Sequence, residues 1–162
     1  MSEGEPIRYG QKVMLEFSEG LAVKGVLSSM RSGRAQLSTQ LVNKQEVYMQ
    51  SVTTDRDKSF LSPIDCAWTI QSASVDDRII SQGTEVLAGT PFVLVHVFTN
   101  KRLAGVQVTL PTDFGNESAV CAHTYHDTGK VNKLMRETMG RPTSGLISRS
   151  ETSENMWTVI YA

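Results

Sequence analysis

The apolar residues of this chain come in short runs, and each run is cut off by glycine, proline, serine or asparagine. Val13-Met14-Leu15-Glu16-Phe17 ends at Ser18-Glu19-Gly20, Glu46-Val47-Tyr48-Met49 precedes the polar stretch 53–59, and Ala67-Trp68-Thr69-Ile70 follows Pro63. Pro91-Phe92-Val93-Leu94-Val95-His96-Val97-Phe98 is the strongest run, and Val106-Gln107-Val108-Thr109-Leu110 alternates until Pro111. Residues 119–125 and 156–161 complete the set. Strand-length runs rich in Val, Thr, Ile and aromatics, bounded by turn formers, predict an all-β chain. No dozen consecutive residues carry an apolar stripe at helical spacing; the best candidate, 131–139, is short and polar.

A weak repeat runs through these segments. Tyr9-Gly10-Gln11-Lys12-Val13-Met14-Leu15 opens one unit, which closes on Trp68-Thr69-Ile70; Gly89-Thr90-Pro91-Phe92-Val93 opens another, which closes on Trp157-Thr158-Val159. Repeated β units that each end on a tryptophan suggest lobes of a β-trefoil-like fold, because one lobe alone cannot bury its apolar face. The division expected is a tail over 1–8, a lobe over 9–80 and a lobe over 81–162. The second lobe is expected to contain an exposed inserted loop at 128–155. The stretch from Lys130 to Arg149 holds Lys130, Lys133, Arg136, Arg141 and Arg149 against Glu137 alone, so it suits an acidic surface.

The 162 residues carry a net charge of −1, which disfavours a nucleic-acid binder. No apolar run approaches the length of a membrane span. The first eight residues do not read as a secretory signal. Cys66 and Cys121 are therefore expected as free, buried thiols in a reducing compartment.

The densest polar constellation is Cys121-Ala122-His123-Thr124-Tyr125-His126-Asp127. Zinc takes such ligands, but in an extended strand Cys121, His123 and Tyr125 share one face while His126 points to the other. A Cys121–His123 nucleophile pair would lack a recognisable oxyanion hole and orienting acid. His96, in the most apolar strand, is expected as a satisfied core histidine. Phosphate-binding glycine motifs do not occur. The expectation is a protein without catalytic residues, metal or cofactor.

A more specific likeness rests on residues in order along the chain: Tyr9-Gly10-Gln11, Gln45-Glu46-Val47, Trp68, Thr99-Asn100 with Arg102-Leu103-Ala104, Phe114-Gly115 with Glu117, Ala122-His123-Thr124-Tyr125 with Asp127, and Asn155-Met156-Trp157. With these the chain resembles the carboxy-terminal part of the cilia- and flagella-associated protein 161 family. The resemblance implies a structural microtubule inner protein in the cytoskeleton of the cilium or flagellum. Such a protein lies on the lumenal wall of the A-tubule of axonemal doublets, against tubulin and other inner proteins, with a β-trefoil fold related to MIR lobes. Set against that family, the chain is expected to lack its amino-terminal region, including what would be the first lobe, and to carry the 128–155 insertion where relatives have a short loop. Tubulin surfaces are generally acidic, so Arg31, Arg34, Lys101, Arg102, Lys130, Lys133 and Arg136 are the candidate contacts. The alternative is a soluble carbohydrate- or ligand-binding trefoil module.

Overall fold

A computed structural model describes residues 5–17, 24–29, 44–52, 62–113, 115–125, 138, 140 and 151–160. The regular structure of the described residues is almost wholly β. In order it forms β1 (Lys12–Val13), β2 (Glu16–Phe17), β3 (Lys24–Ser28), β4 (Gln45–Glu46), β5 (Tyr48–Val52), the helical turn α1 (Pro63–Cys66), β6 (Trp68–Ser72), β7 (Pro91–His96), β8 (Leu103–Thr112), β9 (Gly115–Ala122), a 3-10 turn at Ser153–Asn155, and β10 (Trp157–Thr158). The helical candidate at 131–139 lies outside the described residues apart from position 138.

Three antiparallel sheets result. The largest has the order β1-β6-β7-β10, and two smaller ones have the orders β2-β3-β5 and β4-β9-β8. The large sheet is centred on Trp68, which lies opposite Val13 on one side and His96 on the other. Val13, Trp68, Ile70, Phe92 and Leu94 of this sheet, with Tyr9 before it and Leu103 and Ala122 from β8 and β9, form the main core. Each smaller sheet has its own cluster, Val26, Val52 and Cys66 in one and Ala104, Val106, Ala119 and Cys121 in the other. The alternation buried in β3 is Val26 and Ser28, the period of two expected of a half-buried strand.

The chain order repeats itself. A glycine in the left-handed region stands two residues before a strand of the large sheet, Gly10 at φ 84° before β1 and Gly89 at φ 80° before β7. A hairpin of the smaller sheets follows, β3–β5 in one case and β8–β9 in the other. One helical turn then ends two residues before a tryptophan, which begins the next strand of the large sheet, β6 or β10. In both copies the indole N–H donates to a leucine carbonyl of the hairpin, Trp68 Nε1 to Leu27 O and Trp157 Nε1 to Leu103 O, each at 3.0 Å. The large sheet thus takes two strands from each copy, and β6–β7 pairing joins the copies. The β4–β9 ladder, Gln45 opposite Ala122 and Glu46 opposite Cys121, ties them a second time.

Several local expectations change. The run at 13–17 is two short strands that part company. Lys12 and Val13 pair with β6, whereas Glu16 and Phe17 pair with β3. β3 itself carries too short an apolar core, Val26-Leu27 beside Gly25, to stand out in sequence. β8 continues through Pro111 because it is the edge of its sheet, where a missing N–H costs no ladder bond. Residues 151–155, assigned to the exposed insertion, are part of the packed structure: Glu151 and Asn155 are buried. The remainder of 128–155, apart from 138 and 140, lies outside the described residues.

Thr99 and Asn100 have a direct structural role. Asn100 adopts φ 53°, a conformation asparagine tolerates better than most side chains, and its N–H bonds His96 O at 2.9 Å to turn β7 back towards β8.

Trp68 is fully buried whereas Trp157 is partly exposed. Trp68→Ala is expected to cost about 3–5 kcal/mol and Trp157→Ala less, as read by urea denaturation. Trp68→Phe, which keeps most of the ring and loses the bond to Leu27 O, is expected to cost about 1–2 kcal/mol.

Candidate functional site

The polar residues that the fold brings together meet at the end of the second unit. Arg78, in the connection between β6 and β7, and Arg102, one residue before β8, both donate to Oε1 of Glu151. The Glu151 side chain has no exposure, and the Arg78 and Arg102 side chains have 17% and 14%. Arg78 Nε also donates to Ser72 O at 3.0 Å, and Arg102 Nη1 to Thr124 Oγ1 at 3.2 Å. Burial of a carboxylate is tolerable only with such partners. Four residues later Asn155, also fully buried, uses its amide completely: Oδ1 accepts from Tyr125 N–H at 2.7 Å, and Nδ2 donates to His123 O at 2.8 Å and Leu103 O at 3.2 Å. Together these contacts clamp residues 151–155 against β6, β8 and the residues after β9.

A second polar node lies under Trp68. The His96 ring is fully buried, 5.0 Å from the Trp68 ring. His96 Nε2 lies 3.1 Å from Asp65 O, and since a carbonyl can only accept, that nitrogen carries the proton. His96 Nδ1 then accepts from Thr99 Oγ1 at 2.9 Å. Asp65 O accepts Ser29 N–H as well, at 2.8 Å, so one carbonyl holds both units. Burial pushes the His96 pKa below 6.5, and its hydrogen bond to the Asp65 carbonyl only partly opposes this.

Of the seven cations chosen from sequence, Arg31, Arg34, Lys130, Lys133 and Arg136 lie outside the described residues. Lys101 is exposed at the β7–β8 turn. Arg102, its neighbour, turns inward to Glu151, so its charge is committed inside the molecule rather than presented at the surface. Nothing in the spacing of Arg78, Arg102 and Glu151 announces their meeting, since 73 and 49 residues separate the arginines from the glutamate.

Cys121, His123 and Tyr125 fall on one face, as alternation requires, with the His123 and Tyr125 rings edge to face at 4.7 Å. Cys121 is buried, and burial raises its thiol pKa, which disfavours the reactive thiolate. Cys66 is likewise buried and raised, and the two thiols are free. Among the described residues no three His, Cys, Asp or Glu side chains are grouped as metal ligands; His126 and Asp127 lie outside them. No helix among the described residues is long and apolar enough to cross a membrane.

An apolar groove of about 460 Å³ is lined by Leu15, Glu16, Phe17, Leu27 and Met49. Phe17 and Met49 are each about half exposed. Leu15 and Leu27 pack at the same time against the main core, so they separate it from the groove.

The fold and its polar clamps define an all-β repeat module. Its buried charged and titratable side chains, Glu151 and His96, bond to the protein itself. Comparison with known proteins gives the family. A model of the cilia- and flagella-associated protein 161-like domain matches residues 1–135. Cilia- and flagella-associated protein 161 of Bos taurus is 29% identical over 131 residues, covering 80% of this chain and 38% of that protein. The protein of the same name from Mus musculus is 32% identical over 139 residues, covering 84% and 42%, and that from Danio rerio 28% over 133 residues, covering 82% and 41%. The chain belongs to the cilia- and flagella-associated protein 161 family, and it spans about two fifths of the length of these curated relatives. Glu151, Asn155 and Trp157 lie beyond the span that the family model matches.

Glu151→Gln removes the charge that two largely buried arginines share, and is expected to destabilise the fold by about 3 kcal/mol or more, read by chemical denaturation. The second expectation concerns pH. Folded His96 is protonated less readily than the unfolded residue, so its contribution is fully present above pH 6.5. It is lost as the unfolded chain takes up a proton below that value. The urea midpoint should fall from pH 7 to pH 5, and the His96 ring resonances should show no titration near 6.5 while the protein remains folded.

Proposed function

We propose that this chain is a structural, non-catalytic component of the axoneme of cilia or flagella. In this reading it is a microtubule inner protein that binds the lumenal wall of the A-tubule of doublet microtubules beside other inner proteins. The observation that carries the proposal is the family match over residues 1–135. The relatives are by name associated with cilia and flagella. The fold proposed for it is of the β-trefoil type, two units of which are the strand–hairpin–strand copies that close on Trp68 and Trp157.

A lattice-bound scaffold needs a rigid, shaped body more than a reactive site. The committed side chains of His96, Asn155, Arg78, Arg102 and Glu151 suit that need. Lys101 is the described candidate for contact with an acidic tubulin surface, joined in the proposal by Arg31, Arg34, Lys130, Lys133 and Arg136. A single exposed ion pair contributes at most about 1 kcal/mol, so attachment requires a broad, shape-matched interface of roughly 1,000 Å² or more. The groove of leucine, phenylalanine and methionine favours this reading over the carbohydrate-binding one, because sugar sites pair exposed aromatic platforms with acidic or amide groups.

Axonemes carrying the tagged protein, extracted first with mild detergent and then with strong salt or sarkosyl, provide the test. The protein should stay with the doublets through detergent and leave only under the harsher treatment. Release by detergent alone would remove it from the microtubule lumen. Combined charge reversal of Lys101, Lys130, Lys133 and Arg136 should increase early release while leaving the melting of the purified protein unchanged.

A further inference from the structure

We propose that the connection between β6 and β7 is a docking surface for a partner polypeptide that presents an aliphatic or aromatic side chain flanked by lysine or arginine. Its recognition elements are Ile79 and Ile80, with Asp76 and Asp77 beside them. The assignment holds wherever in the axoneme the protein lies.

Ile79 and Ile80 are 86% and 81% exposed, and with Ile160 they are the most exposed large apolar side chains among the described residues. A single exposed aliphatic residue is ordinary. Two consecutive isoleucines in a turn are not, because turns favour Gly, Pro, Asn, Asp and Ser. Neither isoleucine belongs to any of the three core clusters.

The backbone that carries them is held from both sides. Ser81 N–H donates to Asp77 O at 2.8 Å, and Thr84 N–H to Ser81 O at 2.9 Å. Arg78, between the aspartates and the isoleucines, is drawn inward to Ser72 O and Glu151. Further along, Gly83 N–H donates to Tyr9 O at 2.9 Å, Tyr9 N–H to Thr84 O at 3.0 Å, and Arg8 Nη1 to Gly83 O at 3.0 Å. A surface that is already ordered loses little freedom on association, so these bonds prepare the isoleucines for a partner.

Charge selects the occupant. Asp76 and Asp77 are exposed, and among the described residues neither forms an ion pair. Glu85 is paired with Arg8, and the Arg78 charge is committed to Glu151. The turn therefore shows negative charge beside its apolar pair. Anionic bilayers and nucleic acids are repelled by such a surface. A two-fold contact centred on this turn would set the aspartates of one copy against those of the other. A cationic polypeptide with an apolar anchor meets both features. Ile79 also lines a pocket of about 270 Å³ with Tyr9, Thr69, Gln71, Arg78 and Gln82. Arg78 in its wall repels a cation, so the pocket suits the neutral anchor while Asp76 and Asp77 take the flanking charges.

The test uses the 162-residue chain and short labelled peptides that alternate lysine with leucine, lysine with serine, or glutamate with leucine, followed by fluorescence anisotropy at low salt. The lysine–leucine peptide should bind at least ~10-fold more tightly than either of the others. Its binding should weaken as salt is raised, and it should shift the amide resonances of residues 76–82. Ile79→Ser with Ile80→Ser, and separately Asp76→Asn with Asp77→Asn, should each weaken binding by about tenfold or more, while Tm moves by no more than about 2 °C. Equal binding of the lysine–leucine and lysine–serine peptides would overturn the proposal, because charge alone would then suffice. Binding that survives both pairs of substitutions, or resonance shifts confined to the groove of Leu15, Phe17 and Met49, would overturn it too. Binding that appears only after Lys130→Ser, Lys133→Ser, Arg136→Ser, Arg141→Ser and Arg149→Ser are combined would overturn it in favour of the chain's own basic stretch as the occupant. Self-association abolished by Ile79→Ser with Ile80→Ser would overturn it in favour of a second copy. No binding by any of these chains would end it outright.

Discussion

Trp68 is the residue on which the rest of the structure depends. It sits at the middle of the four-stranded sheet, opposite Val13 and His96, with no exposed surface. Its indole N–H reaches Leu27 O, which fixes the hairpin β3–β5 against the sheet. Its ring lies against His96, whose imidazole in turn holds Asp65 O and Thr99. One side chain thus sets the distance between a hairpin and a sheet, and the register between two units. Displacing it would expose a large aromatic surface, remove the ring that packs on His96 and leave the Leu27 carbonyl without its donor.

The second unit copies this arrangement with a difference that follows from position. Trp157 donates to Leu103 O at the same distance, but among the described residues β10 has a neighbour on one side only, and its ring is partly exposed. The second unit uses polar groups where the first uses a shared carbonyl. Asn155 stitches the closing turn to Leu103, His123 and Tyr125, and Glu151 gathers Arg78 and Arg102. Arg78 belongs to the connection between units, so the ion cluster also ties that connection to the end of the chain's second unit. A carboxylate with no exposure needs both guanidinium groups, which makes the clamp specific in geometry whatever its net contribution to stability.

These features bear on function through rigidity. The hydrogen bonds of His96 and Asn155 and the two ion pairs of Glu151 hold the β7–β8 turn and the closing turn at fixed positions. In the proposed axonemal role, such fixed surfaces are what a lattice contact would require. The apolar groove and the residues beside β1 and β10 are, by contrast, parts of the described surface where apolar side chains such as Phe17, Met14 and Ile160 stay exposed.

By itself the sequence determined the class of fold and much of the repeat. Short apolar runs bounded by turn residues can only be strands, and Gly10, Gly89, Trp68 and Trp157 mark equivalent places because a left-handed turn and a large aromatic each suit few positions. The lone histidine of the most apolar strand was legible as a core residue for the same reason: an imidazole buried there must be satisfied by backbone or hydroxyl groups. Which charges lie inside was decided by tertiary structure. Arg102 and Lys101 are neighbours in sequence, yet one turns to Glu151 and the other to solvent, because adjacent residues of an extended chain face opposite ways and the distant Glu151 fills only one of those faces. Glu151 and Asn155 read as the tail of a polar loop, since composition cannot show that a fold returns a carboxylate and an amide to waiting partners. The same holds for the groove, because pairing across a sheet is a property of the whole fold that no local pattern contains.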